Sequence, residues 1–302
     1  MKIVSLLPSA TEIVCALGLR DQLVAVSHEC DYPSDVATLP RITSSHLHYD
    51  LPTDEIDRAV VDAVLSGQSL YRIDGDMLAE LQPDLIVTQG VCDVCAVAQD
   101  TVNATLRFVA DVISDEVMVL SLSAKNFAGV LRDIEQLAAV VGATPAAEEL
   151  VQSLHQRWSV IAAKPQPSRA STVMMLEWPD PPFYGGHWVP EQVHVAGGRN
   201  ALGEQGLDSR RCTWEEIAAA DPDYIFVMAC GYGLDANLGF AENLRQVEGA
   251  KELRAVREGQ VWACDANSFF SRPAPRIIEG AEIIQQVLGG ETPPAERAKK
   301  IK

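Results

Sequence analysis

Seven cysteines stand at positions 15, 30, 92, 95, 212, 230 and 264, and two of them form the pair Cys92-x2-Cys95. Cys30, Cys92, Cys95 and Cys230 each follow an apolar run closely, so a fold could bring them to one edge. Four thiolates there would hold zinc tetrahedrally or an iron–sulfur cluster. The competing reading is free thiols in a reducing compartment, because a single CxxC lacks the second pair of a zinc ribbon and has no thioredoxin-like context. Cys15 and Cys212 sit in helix-like contexts and read as packing residues. His46 and His48 form an H-x-H pair on a polar loop, a weak metal signal. His187 belongs to the aromatic, glycine-rich loop FYGGHW at 183–188, a presentation suited to a large, flat, partly apolar ligand. An imidazole is a common metal ligand. Catalysis finds little to stand on. There is no GxSxG elbow, no GxxxxGK[ST] loop and no GxGxxG after a strand, and His187 has no nucleophile at a recognisable spacing. The chain is therefore not expected to be an enzyme.

The elements that would position these residues alternate between short apolar runs and helical periodicity. Residues 2–7, 23–27, 84–88 and 117–121 are apolar on both faces, as parallel strands covered on each side must be. Ser9 and Glu12 have capping-box spacing for a first helix that Gly18 ends. Residues 126–163 read as two helices, and the second, with Leu150, Val151, Leu154, Trp158 and Ile161 on one stripe, stops at the prolines near 165. Strands resume at 172–177, 224–229 and 260–264, with helices near 189–196, 214–220, 240–249 and 275–288. The expected organisation is an N-terminal α/β lobe at 1–125, a helical connector at 126–168, a C-terminal α/β lobe at 169–290 and a frayed tail at 291–302. One internal echo supports two related lobes. Asp76 precedes the Pro83-Asp84 pair as Glu215 precedes Pro222-Asp223, seven residues before the proline each time, and each pair launches an apolar strand. Ligands of parallel sheets bind beyond the carboxyl ends of the strands, which directs attention to the loops at 7–9, 28–30, 89–95, 177–178, 230–232 and 265–268.

Composition sets the outer bounds. The chain has 302 residues, 47% hydrophobic and 22% charged, the profile of a folded protein rather than a disordered one. Its 24 basic and 42 acidic residues give a net charge of −18, which excludes nucleic acid and anionic membrane surfaces as partners. No uncharged apolar run is long enough to span a membrane, and the opening run is too short for a signal peptide. The chain as written is thus expected to be cytoplasmic; a chain trimmed of its leader would be periplasmic.

The stretches IVSLLPSATEIVCALGL (3–19), LVAVSHECDYP (23–33), QPDLIVTQ (82–89) and GQVWA (259–263) resemble the cobalamin and iron-siderophore substrate-binding proteins of ABC importers, over about residues 3–290. The resemblance implies an α/β fold of two lobes with mainly parallel sheets, joined by a long rigid helix at about 146–163, with the ligand cleft between the lobes. It implies a ligand such as cobalamin or a similar metal chelate, no required cofactor, and a permease partner whose arginines receive one acid from each lobe, here Asp76 and Glu215. Asp76 is shorter than the family's usual glutamate, the chain shows no leader, and the cysteine cluster is foreign to the plain cobalamin binder. Expected ligand contacts are Pro8, Ser9, Trp178, Phe183, His187, Trp188, Ser268 and Arg272. The alternative is an intracellular zinc, iron–sulfur or redox-sensing protein on the same scaffold, using Cys30, Cys92, Cys95 and Cys230.

Overall fold

The computed structural model describes residues 1–47, 51–66, 69–90, 99–108, 116–164 and 169–301. They divide into two compact units: Met1–Ala124 with Ala128–Val151, and Lys125–Phe127 with Gln152–Lys302. No helix among the described residues is long and apolar enough to cross a membrane.

In the first unit, β1 (Ile3–Ser5), β2 (Leu23–Val26), β5 (Leu85–Gln89) and β6 (Met118–Leu122) form a parallel sheet in the order β2-β1-β5-β6. Every residue of β1 and β5 is buried, which explains their lack of alternation. The hairpin-like pair β3 (Thr43–Ser45) and β4 (Tyr71–Ile73) lies beside them. Helices α1 (Pro8–Ala16), α2 (Thr53–Ser66), α3 (Gly75–Leu81) and α4 (Gln99–Phe108) complete this part. The cap expected at Ser9 is displaced. Pro8 takes the first helical position, where its fixed φ fits and its missing N–H costs nothing, so Leu7 is the cap and makes no side-chain bond. Gly18, at φ +77°, ends α1 as expected.

Helix α5 (Phe127–Val141) is followed by α6 (Thr144–Ala162), which runs through the division between the units at Val151 and Gln152. Within the second unit α6 buries Leu154 and Ile161, and Trp158 stacks on Phe127 with centroids 4.2 Å apart.

The second unit's sheet contains β7 (Thr172–Pro179), β8 (Pro182–Tyr184), β9 (Arg199–Asn200), β10 (Arg210–Arg211), β11 (Tyr224–Val227), β12 (Val261–Cys264) and β13 (Ala298–Lys300). Its order is β10-β8-β7-β11-β12-β13, with β9 also on β7. The β7-β11-β12 centre is parallel, whereas β8, β10 and β13 pair antiparallel. Its helices are α7 (Val189–Val195), α8 (Trp214–Ala220), α9 (Leu234–Asn243), α10 (Arg254–Arg257), α11 (Ala266–Phe269) and α12 (Ile277–Leu288). The tail expected to fray is instead the edge strand β13. Ala298 and Ile301 are buried, and the Arg297 carbonyl accepts from the Asp265 amide.

The internal echo has a structural counterpart in each unit. α3 and α8 both end in a left-handed residue, Gln82 (φ 47°) and Asp221 (φ 42°), immediately before the proline. Asp84 then accepts the Lys2 amide at 2.6 Å, and Asp223 accepts the Thr172 amide at 2.7 Å. Each aspartate thus latches its own strand to the neighbouring one, β5 to β1 and β11 to β7. Two latches of identical construction make the related-lobe reading concrete.

Candidate functional site

At the carboxyl edge of the first unit's sheet, polar side chains are packed inward rather than displayed. Pro8 and Ser9 are buried in the first turn of α1. Thr11 Oγ1 donates to Ser5 Oγ at 2.8 Å and lies 3.1 Å from Cys30 Sγ. Arg41 Nη1 donates to the carbonyls of Ser27 and Cys30, pinning the loop after β2. In that loop Thr43 Oγ1 receives the His28 amide and donates to Ser27 Oγ. Its remaining lone pair therefore accepts from His28 Nδ1 at 2.7 Å, and Nε2 is left with a bare lone pair. That nitrogen is sealed and has no partner among the described residues. Burial, helped by the Arg41 charge, lowers the His28 pKa and keeps the ring neutral.

The second unit's carboxyl edge is more open. β7 carries an irregularity between Leu176 and Trp178, a bulge that re-aims Glu177 and Trp178. Glu177 Oε2 accepts from Ser209 Oγ at 2.7 Å, and Ser209 Oγ in turn accepts from the Gly186 amide. Trp178 is half-buried, its indole donating to the Asp180 carbonyl, and its ring stands 5.8 Å from Tyr232. Tyr232 meets Phe240 edge-on at 5.2 Å. Beneath this aromatic row, wholly buried Asn237 accepts the Ala229 amide at 2.6 Å and donates to the Tyr232 and Gly233 carbonyls. Sequence reasoning passed over Tyr232 and Asn237 as individual residues, although the loop at 230–232 was marked; the usable signal was an aromatic between two glycines just after a strand.

Three of the expected contacts are held by the lobe's own packing and hydrogen bonds. Trp188 is only 7% exposed, and its indole donates to the Phe270 carbonyl at 2.8 Å, so it braces the lobe. Arg272 is likewise buried. The Ser268 hydroxyl donates to Asp265 at 2.6 Å as part of the α11 cap. Phe183, half-buried on β8, lies under the Arg211 guanidinium, 5.5 Å from its centroid.

His187 holds a backbone φ of 54°, unusual for a residue with a side chain. Its amide donates to the Leu207 carbonyl, and its own carbonyl accepts from the Gly206 amide. Gly186 allows this close approach, because a Cβ there would fall 2.3 Å from the Ser209 nitrogen. His187 Nε2 is buried 3.3 Å from Asp208 Oδ1, off the line of a good hydrogen bond, and Lys125 Nζ meets the same Oδ1 at 2.8 Å. Burial lowers the His187 pKa, with Asp208 opposing. A cavity of about 260 Å³ does exist at the other end of this sheet, bordered by Arg254, Asp223 and Glu258. Arg169 also borders it, and Arg254 is already bound to Asp221 and Asp223.

Cys30 is buried, Cys230 half-buried, and Cys92 and Cys95 lie outside the described residues. Among the described residues no group of three or more His, Cys, Asp or Glu is placed to hold a metal ion. The four-thiolate centre and the redox reading built on it find no support. Asp76 and Glu215 are exposed at the second position of α3 and α8.

Each of the two α/β units ends its parallel strands in loops, and helix α6 contributes residues to both units. The chain belongs to the periplasmic binding protein family, whose pattern matches residues 3–268, and that family is not enzymatic. It is 26% identical over 298 residues to an uncharacterised ABC transporter substrate-binding lipoprotein, YvrC, of Bacillus subtilis, covering 96% of this chain and 81% of that protein. It is 25% identical over 284 residues to the vitamin B12-binding protein of Vibrio cholerae, covering 93% and 86%. The crystal structure of a periplasmic heme-binding protein from Pseudomonas aeruginosa has the same fold, with a TM-score of 0.70 at 20% identity over 97% of this chain and 94% of that one.

Proposed function

We propose that this protein is the substrate-binding component of an ABC importer and that its ligand is a corrinoid or a similar planar metal chelate. The observation that carries this is the Trp178–Tyr232–Phe240 row, a fixed aromatic surface at the carboxyl edge of the second sheet. Aromatic faces of this kind bury large apolar area at low entropic cost, and offset or tilted rings suit a flat macrocycle. The relatives named for vitamin B12 and heme binding support the same ligand class. Asp76 and Glu215, exposed at matching positions of matching helices, are the surface acids suited to permease arginines. Glu215 stays charged readily, since hydrogen bonds from its own helix start lower its pKa.

The test is an absorbance titration with cobalamin. Saturable one-to-one binding near or below micromolar is expected, weakened roughly tenfold or more in Trp178→Ala and in Tyr232→Ala, given about 1.4 kcal/mol per tenfold. Absence of saturable binding, or full affinity in both variants, would overturn the reading.

A further inference from the structure

The parallel strands β7, β11 and β12 all begin at the cavity of about 260 Å³ on the amino edge of the second sheet. Ser171 precedes β7, Tyr224 opens β11 and Gln260 precedes β12, so these side chains meet because the strands start side by side. The charged groups of the lining fall into two sets. Arg254 and Asp223 are committed to their neighbours. Arg254 Nη2 donates to Asp223 Oδ1 at 2.9 Å, its Nε donates to Asp221 Oδ1 at 3.1 Å, and Asp223 Oδ2 accepts the Thr172 amide. Arg169 and Glu258 are not held in this way. Arg169 is exposed and makes no hydrogen bond or ion pair among the described residues, its charge acting on Asp223 only through space. Glu258 comes no nearer to Arg254 than 3.9 Å, at the limit of an ion pair. The Ser171 hydroxyl, the Tyr224 phenol and the Gln260 carboxamide also have no hydrogen-bond partner among the described residues.

The cavity therefore presents an uncommitted cation, an uncommitted carboxylate and neutral donors and acceptors between them. That balance decides the class of ligand. A simple anion would meet Glu258 and the field of a chain with a net charge of −18, and a simple cation would meet Arg169. A molecule carrying both signs satisfies both groups. Size sets a second limit: pockets for drug-sized ligands run from roughly 300 to 1,000 Å³, so this cavity takes something smaller than a planar macrocycle. We infer that it binds a free α-amino acid, with the carboxylate on Arg169, the ammonium on Glu258, and Ser171, Tyr224 and Gln260 completing the hydrogen bonds. In an α-amino acid both charged groups sit on one carbon, so both fit in a small cavity, and a planar carboxylate matches the guanidinium fork. The site lies at the opposite end of the parallel strands from the Trp178–Tyr232 pair and is independent of the ligand proposed above.

The test is a titration of the intact, isotopically labelled chain with L-alanine, followed through backbone amide chemical shifts. Saturable shifts are expected around residues 169–171, 223–224 and 258–260. The expected dissociation constant is about 1 mM, since exposed ion pairs each contribute little. Arg169→Gln and Glu258→Gln are each expected to weaken binding roughly fivefold or more while keeping the parent's unfolding midpoint, because the bonds from Arg254 to Asp221 and Asp223 stand without them. Acetate and ethylamine, each carrying a single charge, are expected to bind roughly tenfold more weakly than L-alanine. Acetate as tight as L-alanine, with affinity retained in Glu258→Gln, would overturn the amino-acid assignment in favour of a plain anion. The absence of saturable shifts up to about 50 mM L-alanine, or shifts unaltered in both variants, would overturn the site itself. Cobalamin affinity is expected to be the same in both variants as in the parent, so the fate of this site and that of the proposed macrocycle are read separately.

Discussion

Replacing Trp188 with phenylalanine separates a brace from a ligand wall. The indole N–H donates to the Phe270 carbonyl at 2.8 Å, and both side chains are buried. Phenylalanine keeps an aromatic ring in place but removes the donor. A buried carbonyl left without a partner costs about 1–3 kcal/mol. The smaller ring vacates roughly 40 Å³, about 1 kcal/mol at the usual cavity cost. Together these predict a loss of about 2–4 kcal/mol, or roughly 5–15 °C in the unfolding midpoint of a unit this size. Differential scanning calorimetry and the cobalamin titration, on the same preparation, read the two quantities independently. The expected result is a lowered midpoint with ligand affinity within about twofold of the parent. Gln192 provides a check on mechanism, because its amide donates to the Phe269 and Ile277 carbonyls on the same segment. A Trp188→Phe, Gln192→Leu double variant should lose less than the two singles predict, since both relax one stretch of chain. An unchanged midpoint with affinity lost in Trp188→Phe would refute the brace and return Trp188 to the ligand.

Asn237→Ala is expected to cost about 2–4 kcal/mol, because it strips three hydrogen bonds made by a buried side chain, and to weaken cobalamin binding by loosening Tyr232; thermal unfolding and titration together check it. Deleting residues 297–302 is expected to destabilise the second unit by several kcal/mol, since it removes β13 and buried Ile301; a frayed tail would leave the midpoint unmoved. Burial pushes the Asp223 carboxyl up, but the Thr172 amide and Arg254 hold it below the usual carboxylate range. Its contribution is thus complete above about pH 3.9, the unfolded value, and is lost as pH falls through the folded one. Asp223→Asn should therefore flatten the acid limb of a stability-versus-pH curve, and an unchanged limb would contradict the latch.

The central strands were readable because burial on both faces leaves a continuous apolar stretch, as in Leu85, Ile86 and Val87 and in Ile225, Phe226 and Val227. The Pro-Asp echo was readable for a different reason. Its residues are demanded locally: an aspartate to receive the next strand's amide, a proline to stop the helix. What stayed hidden was the antiparallel border of the second sheet. Arg210–Arg211 is exposed and Ala298–Lys300 is mostly lysine, the polar character that edge strands require and that makes them look like loop. Tryptophan roles were equally opaque. Trp178 and Trp188 are alike in sequence context, and only the bulge in β7 and the left-handed turn at His187 send one to the surface row and the other inward.

That same turn explains why the loop FYGGHW reads as chemistry and yet most of it is structural. Gly185 and Gly186 are there because no Cβ fits against Met228, Val189 and the 207–209 backbone. Tyr184 extends β8, and Trp188 ties the loop to Phe270. With its neighbours committed to holding the turn, His187 keeps Nε2 buried 3.3 Å from Asp208. The conformational cost of the left-handed turn at His187 is offset by the two backbone hydrogen bonds that His187 makes with Gly206 and Leu207.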